Sequence, residues 1–175
     1  MREADWLIVR SITKCNRELL EGSHVRLITS ATIGYDHIDT AYCEAAGIRW
    51  TNAPGCNAQA VAQYIACTLA RCCREGGGSL QGKCYGIIGA GHTGIAMAHF
   101  AELLGMEVLL NDPPRADIEG RGSFVSLSTL AEECDYIDLH VPLTRSGDYP
   151  TYHMIDRDFI RSLRRKPVLI NAARG

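Results

Sequence analysis

Short apolar runs rich in branched side chains alternate along this chain with stretches in which apolar residues recur every three or four positions. Residues 6–10 read as a strand. Residues 16–21 read as a short helix ended by Gly22, and residues 25–29 as a second strand. Asp39 is placed to cap a helix through residue 46, stopped by Gly47, before a strand over residues 48–51. Strand, helix, strand, helix, strand is the order that builds a parallel sheet covered by helices.

The pattern then lengthens. After the turn signal Pro54-Gly55, Asn57 is placed to cap a long helix running through residue 74. Its apolar positions Ala58, Val61, Ala62, Ile65, Ala66, Leu69, Cys72 and Cys73 share one face, and Gly76-Gly77-Gly78 ends it. A second alternating series follows, with strands at 84–88, 107–111, 136–140 and 168–171 and helices at 93–104, 127–133 and 158–163. The organisation expected is part of a flavodoxin-like α/β substrate domain over residues 1–56, then a connector helix and Gly-rich hinge over 57–78. A Rossmann-type doubly wound parallel sheet over 79–175 completes it. The chain opens almost directly into a strand and closes one loop after another, so a fragment with apolar faces left uncovered is expected.

Composition changes this picture little. The chain is 46% apolar with a formal net charge of −2, which gives no electrostatic reason to expect nucleic acid or an anionic membrane as partner. No apolar run approaches the roughly 18 residues of a membrane span, and no apolar signal core follows the N-terminus. A cytoplasmic protein is the expectation. The eight cysteines include no C-x-x-C pair and read as structural rather than as metal ligands or a disulfide framework, several of them on predicted buried faces as small hydrophobes.

The chemistry concentrates in two places. In Tyr85-Gly-Ile-Ile-Gly-Ala-Gly-His-Thr-Gly, residues Gly89, Gly91 and Gly94 have the G-x-G-x-x-G spacing. They lie between a predicted strand and a predicted helix, and the following strand ends in Asp112. That context predicts a dinucleotide site. Gly89 gives the tight turn, Gly91 lets the backbone approach a pyrophosphate, and Gly94 lets helix and strand pack closely. His92 sits inside the glycine turn within reach of the pyrophosphate, and Thr93 opens the helix whose free N–H groups face the phosphates. Asp112 is placed to accept from the ribose hydroxyls and to repel a 2′-phosphate, favouring NAD, although Arg115 is near enough in sequence to soften that preference.

The second place is the order of motifs. Gly34-Tyr35-Asp36-His37-Ile38-Asp39, His140-Val-Pro-Leu-Thr144 and Asn171-Ala-Ala-Arg-Gly175 resemble, in this order, signatures of the D-isomer-specific 2-hydroxyacid dehydrogenases. The resemblance runs through essentially all of the chain. It implies NAD as cofactor and hydride transfer from C2 of a 2-hydroxy acid. It also implies a homodimeric full-length protein and a cofactor-lining role for His140, Val141, Pro142, Ala172 and Ala173. Arg174 would clamp the substrate carboxylate as the catalytic arginine, and Ser11 and Thr32 match substrate-contacting positions.

Further stretches, among them residues 9–14, 53–58, 112–117 and 151–153, draw the resemblance toward members acting on a phosphorylated 2-hydroxy acid. Arg10 and Lys14 are then candidates for its phosphate, with solvated surface charges as the alternative. The assisting Glu and the base His of the family come later than Asn171-x-x-Arg-Gly and have no occupant here. His140 and His153 are the only substitutes in reach, and neither has a carboxylate partner at a readable spacing. His140 therefore reads as a cofactor-loop residue and His153 as a turn residue. A 3-phosphoglycerate or hydroxypyruvate type of substrate, and a non-catalytic NAD-binding module, remain open as other readings.

Overall fold

The computed structural model describes residues 3–173. By its packing the chain divides into two compact units, residues 1–57 and 58–175.

In the first unit β1 (Trp6–Val9), β2 (Leu27–Ser30) and β3 (Arg49–Thr51) form a parallel sheet in that order, with Ile28 between Leu7 and Trp50. Helix α1 (Arg17–Leu20) starts where Asn16 accepts the Leu19 N–H at 3.2 Å. Helix α2 (Thr40–Ala45) starts where Asp39 accepts the Tyr42 N–H at 3.0 Å. Val9, Leu20, Ile28, Ile48, Cys15 and Cys43 fill the core. The loops after β1 and β2 are tied together. Cys15 donates its N–H to the His37 carbonyl at 2.7 Å and accepts from the Asp39 N–H at 2.9 Å.

The second unit begins with α3 (Ala58–Gly76), the helix drawn from sequence as a connector. It buries Ala58, Ala62, Ile65 and Leu69 within this unit's own core and packs along α4 (His92–Leu103). Strands β4 (Cys84–Ile88), β5 (Glu107–Asn111), β6 (Tyr136–Leu139) and β7 (Val168–Asn171) run parallel in the order β5-β4-β6-β7. Side-chain alternation along β4 sends Tyr85 and Ile87 into the core with α3 and α4. Cys84 and Ile88 enter the opposite core beneath α6 (Leu127–Glu133) and α7 (Arg157–Ser162). Helices on both faces explain why every residue of β4 is buried. β7, at the sheet edge, leaves Val168 40% and Leu169 36% exposed.

Two elements were not read from sequence. Residues 113–119 form α5 (Pro113–Glu119), with prolines in its first turn and Asp112 as its N-cap. Phe124 and Val125 then run extended along the outer edge of β5, where the Val125 N–H meets the Leu110 carbonyl at 2.8 Å. The Asn111 side chain donates to the Val125 carbonyl at 2.6 Å. Predicted element ends shift by a residue or two: the second strand begins at Leu27 rather than 25, and the helix after the glycines begins at His92 rather than 93. All eight cysteines are free, and Cys15, Cys43, Cys84 and Cys134 are buried. Among the described residues no metal-binding cluster occurs, and no helix is long and apolar enough to cross a membrane.

Candidate dinucleotide site

In the second unit the chain leaves β4 through Gly89, which sits at φ +93° and donates its N–H to the Asn111 carbonyl at 2.8 Å. A Cβ at Gly89 would lie 3.0 Å from the backbone N of Val141, so the loops after β4 and β6 touch because this residue has no side chain. The same strand ends are joined by the His140 N–H, 2.8 Å from the Ile88 carbonyl. Since β4 lies between β5 and β6, this is where the direction of winding reverses, the place at which open α/β sheets leave a crevice for ligands.

The other two glycines divide the remaining work. A Cβ at Gly94 would collide with the Gly89 carbonyl oxygen and come 3.2 Å from Cγ2 of Ile87, so its absence lets α4 seat against β4. Gly91 has nothing within 4 Å of where its Cβ would be. Packing does not require glycine there, and an open backbone is what a pyrophosphate needs. Gly91 is also the N-cap of α4 and supplies no side-chain cap, leaving the first N–H groups of a twelve-residue helix to an incoming anion. These features fit the phosphates of a dinucleotide. His92 and Thr93 stand at this helix start, with His92 exposed.

Asp112 closes the rim from the β5 side. One carboxylate oxygen accepts the Ala90 N–H at 2.8 Å and the other the Arg115 N–H at 3.1 Å, which holds the carboxylate beside the glycine turn with lone pairs remaining for hydroxyl donors. Arg115 does not stand free to meet a 2′-phosphate. Its guanidinium pairs with Glu119 through two bonds of 2.7 and 2.8 Å and also donates to the Ala90 carbonyl. The Glu119 pairing sets a second carboxylate beside Arg115.

On the far side, Val141, Pro142, Tyr152, Met154, Asn171 and Ala173 line a cavity of about 450 Å³ at the carboxyl ends of β6 and β7. The Ala172 N–H bonds the Leu139 carbonyl at 3.3 Å, and Asn171 caps the Ala173 N–H at 2.9 Å. Thus Gly89, Gly91, Gly94, Asp112, His140, Val141, Pro142, Ala172 and Ala173 all lie along the ends of the same four strands. Arg174 lies outside the described residues. His153 occupies a turn at φ +57° and stacks on Tyr152 with ring centroids 3.8 Å apart.

His140 requires a correction. It does have a carboxylate partner: Nε2 lies 2.8 Å from Oδ2 of Asp138, which also accepts the Tyr85 hydroxyl at 2.6 Å. Residues two apart on a strand share a face, so the pair was readable from β-strand periodicity. The imidazole is buried, with a side-chain exposure of 1%, and so it is not placed to take a proton from a substrate. Burial and the Asp138 charge push the Tyr85 hydroxyl well above the ordinary tyrosine range, so it remains a donor to Asp138.

The first unit places the other candidates at the carboxyl ends of its parallel strands. Arg10, Ser11 and Lys14 are exposed on the loop after β1, and Thr32 is half-buried on the loop after β2. The Thr32 loop is braced by the Ala53 N–H on the Thr32 carbonyl at 3.1 Å and by the Asn52 amide on the Ile33 carbonyl at 2.7 Å. Beneath it lie Ser30 and His37, both buried and neither singled out from sequence. Ser30 Oγ is 2.7 Å from Thr32 Oγ1 and 3.0 Å from His37 Nε2.

Known proteins match this arrangement. Residues 58–175 match the model of the D-isomer specific 2-hydroxyacid dehydrogenase, NAD binding domain. A protein of Porphyromonas gingivalis named erythronate-4-phosphate dehydrogenase is 54% identical over all of this chain, which covers 48% of that protein. One of the same name from Bacteroides thetaiotaomicron is 54% identical, with 50% of its length covered. The chain thus spans about half the length of the curated relatives it matches. Among solved structures, NAD⁺-bound 3-phosphoglycerate dehydrogenase of Entamoeba histolytica superposes with a TM-score of 0.81 at 32% identity, over 98% of this chain and 56% of that one. D-lactate dehydrogenase of Aquifex aeolicus, complexed with NAD and lactic acid, gives 0.71 at 30% identity, over 99% of this chain and 58% of that one. With its glycine turn, its Asp112 rim and its strand order, the chain carries an NAD-binding Rossmann fold and belongs to the D-isomer-specific 2-hydroxyacid dehydrogenase family.

Proposed function

We propose that the protein carrying this chain oxidises 4-phospho-D-erythronate to the corresponding 2-oxo acid, passing the C2 hydride to NAD and releasing a proton, as a step toward pyridoxal phosphate. The observation that carries this reading is the 54% identity, across the whole chain, with proteins named erythronate-4-phosphate dehydrogenase. Asp112 would hold the adenosine ribose, and Gly91, His92 and Thr93 the pyrophosphate. His140, Val141, Pro142, Ala172 and Ala173 would line the rest of the cofactor's path.

Arg174 would hold the substrate carboxylate and polarise the C2 oxygen. Ser11 and Thr32 would contact the substrate, and Arg10 and Lys14 would meet its phosphate. By family resemblance the base His and its Glu follow the arginine motif. A cytoplasmic homodimer is the form this enzyme would take.

A second reading is favoured by one observation, the TM-score of 0.81 with a 3-phosphoglycerate dehydrogenase. The two separate in one assay: NAD reduction by the full-length protein with 4-phosphoerythronate, 3-phosphoglycerate and D-lactate as alternative substrates. The proposal expects the first to give the highest kcat/KM. A higher value with 3-phosphoglycerate would replace it with the second reading.

A further inference from the structure

The hydrogen bonds beneath Thr32 can run in only one direction. Thr32 Oγ1 lies 2.8 Å from the Gly34 carbonyl, which has no hydrogen to give, so the Thr32 hydroxyl hydrogen is spent there. The 2.7 Å contact between Ser30 and Thr32 then needs the Ser30 hydrogen. Ser30 has none left for His37, 3.0 Å away, so the hydrogen in that contact is carried by His37 Nε2. The relay reads His37 N–H to Ser30 to Thr32 to the Gly34 carbonyl, and in the neutral ring Nδ1 is bare. Both Ser30 and His37 are more than nine-tenths buried, and His37 Nδ1 has no partner among the described residues. Water has little access to Ser30 and His37, and reversing the chain would leave the Thr32 hydroxyl oxygen facing the Gly34 carbonyl with no hydrogen between them.

We propose that Ser30 and His37 are positioning residues that fix Thr32 as a hydrogen-bond acceptor, so that Thr32 reads a hydroxyl group of the substrate and not its carboxylate or phosphate. This rests on the reading above, in which Thr32 contacts a phosphorylated 2-hydroxy acid. An anion offers only lone pairs, and a hydroxyl with no hydrogen to spare repels it. A substrate O–H meets the remaining Thr32 lone pair. The C2 hydroxyl gives its proton to the catalytic base, so the group that Thr32 reads is the hydroxyl on C3, which does not react. Thr32 thereby selects 2-hydroxy acids that carry a second hydroxyl, and Arg10, Lys14 and Arg174 are left to hold the anionic ends.

The test pairs a protein change with a substrate change in the full-length enzyme. Fluorine in place of the C3 hydroxyl can accept a hydrogen bond but cannot donate one. Thr32→Val should lower kcat/KM about five- to tenfold with 4-phosphoerythronate, the value of one ordinary hydrogen bond, and should leave it the same or higher with the 3-deoxy-3-fluoro analogue, whose fluorine also offers only lone pairs. His37→Leu should raise KM with kcat held, and His37→Gln, which returns an N–H at similar reach, should recover most of the loss. Nitrogen-15 spectra should show neutral His37 protonated on Nε2. Equal losses of kcat/KM on the two substrates, or a hydrogen on Nδ1 alone, would overturn the proposal while leaving the substrate reading intact. Absence of any turnover of 4-phosphoerythronate by the unmodified enzyme would remove both.

Discussion

Gly94 and Gly91 belong to one motif, yet the structure gives them opposite sensitivities. In Gly94→Ala the new methyl meets the Gly89 carbonyl oxygen, part of a backbone pinned to Asn111, and the Ile87 side chain at 3.2 Å. A carbon needs about 3.3 Å from a carbonyl oxygen, so the start of α4 must retreat from β4 by on the order of 1 Å. Overpacking of this kind costs about 1–3 kcal/mol, and a rigid neighbour puts it at the upper end. Alanine's better helix propensity returns at most about 1 kcal/mol. The net loss of about 2 kcal/mol lowers the melting temperature by roughly 4–8 °C for a chain of this size. Gly91→Ala meets empty space, and its φ of −73° suits any residue, so stability should move by less than about 1 kcal/mol. Its methyl lies where the pyrophosphate approaches, and NADH affinity should fall at least about tenfold, or 1.4 kcal/mol. Thermal unfolding followed by circular dichroism, with NADH fluorescence titration, reads both variants. A Gly94→Ala protein that melts with the unmodified chain, or a Gly91→Ala protein that keeps its NADH affinity, would refute the division of roles.

Three further outcomes follow from named contacts. Asp112→Ala removes the cap of α5 and the Ala90 bond, so urea unfolding should show a loss of about 1 kcal/mol, and the preference for NADH over NADPH should shrink; an unchanged preference would show that Asp112 does not set it. Tyr85→Phe leaves the buried Asp138 with one donor fewer, at a cost of about 1–3 kcal/mol in denaturant titration. Because burial first, and then Asp138, raises the folded Tyr85 pKa, its stabilising share is complete below the unfolded value near 10 and lost as pH rises beyond it. The buried thiols, also raised by burial, begin the same loss from about pH 8.5, so stability should decline through the alkaline range and less steeply in Tyr85→Phe. A thiol reagent should modify exposed Cys56 and Cys67 in the native protein and reach Cys15, Cys43, Cys84 and Cys134 only on unfolding. Early labelling of those four would contradict the packing.

Much of the fold was legible because parallel strands covered on both faces read as apolar runs, as the wholly buried β4 shows. The dinucleotide turn was legible because glycine spacing, a preceding strand and a following helix all had to agree. What stayed hidden has physical reasons too. Helix α5 begins with Asp112 followed by two prolines, a sound start signal, but with no buried residue it shows no apolar face to complete the pattern. The two-residue extension along β5 is too short for any period to register. The Asp138–His140 pair is written in the two-residue repeat of β6, but a carboxylate and an imidazole in a strand buried on both faces pair only because Tyr85 and the sheet shut out water, which no spacing reports. The Ser30–Thr32–His37 relay is different: a seven-residue separation closes only when the loop after β2 folds back, and no local spacing announces that. Long helix α3 had the right length and face, but which neighbour it would cover depended on tertiary packing with α4.

NAD held at the ends of β4, β5 and β6 underlies every role given to these residues, and amide chemical-shift mapping of the chain during NAD titration reads that binding residue by residue. Saturable shifts gathered at Gly89, Ala90, Gly91, His92, Asp112 and Val141 are expected. Saturable shifts that avoid these amides, or none at concentrations that saturate related dehydrogenases, would contradict it.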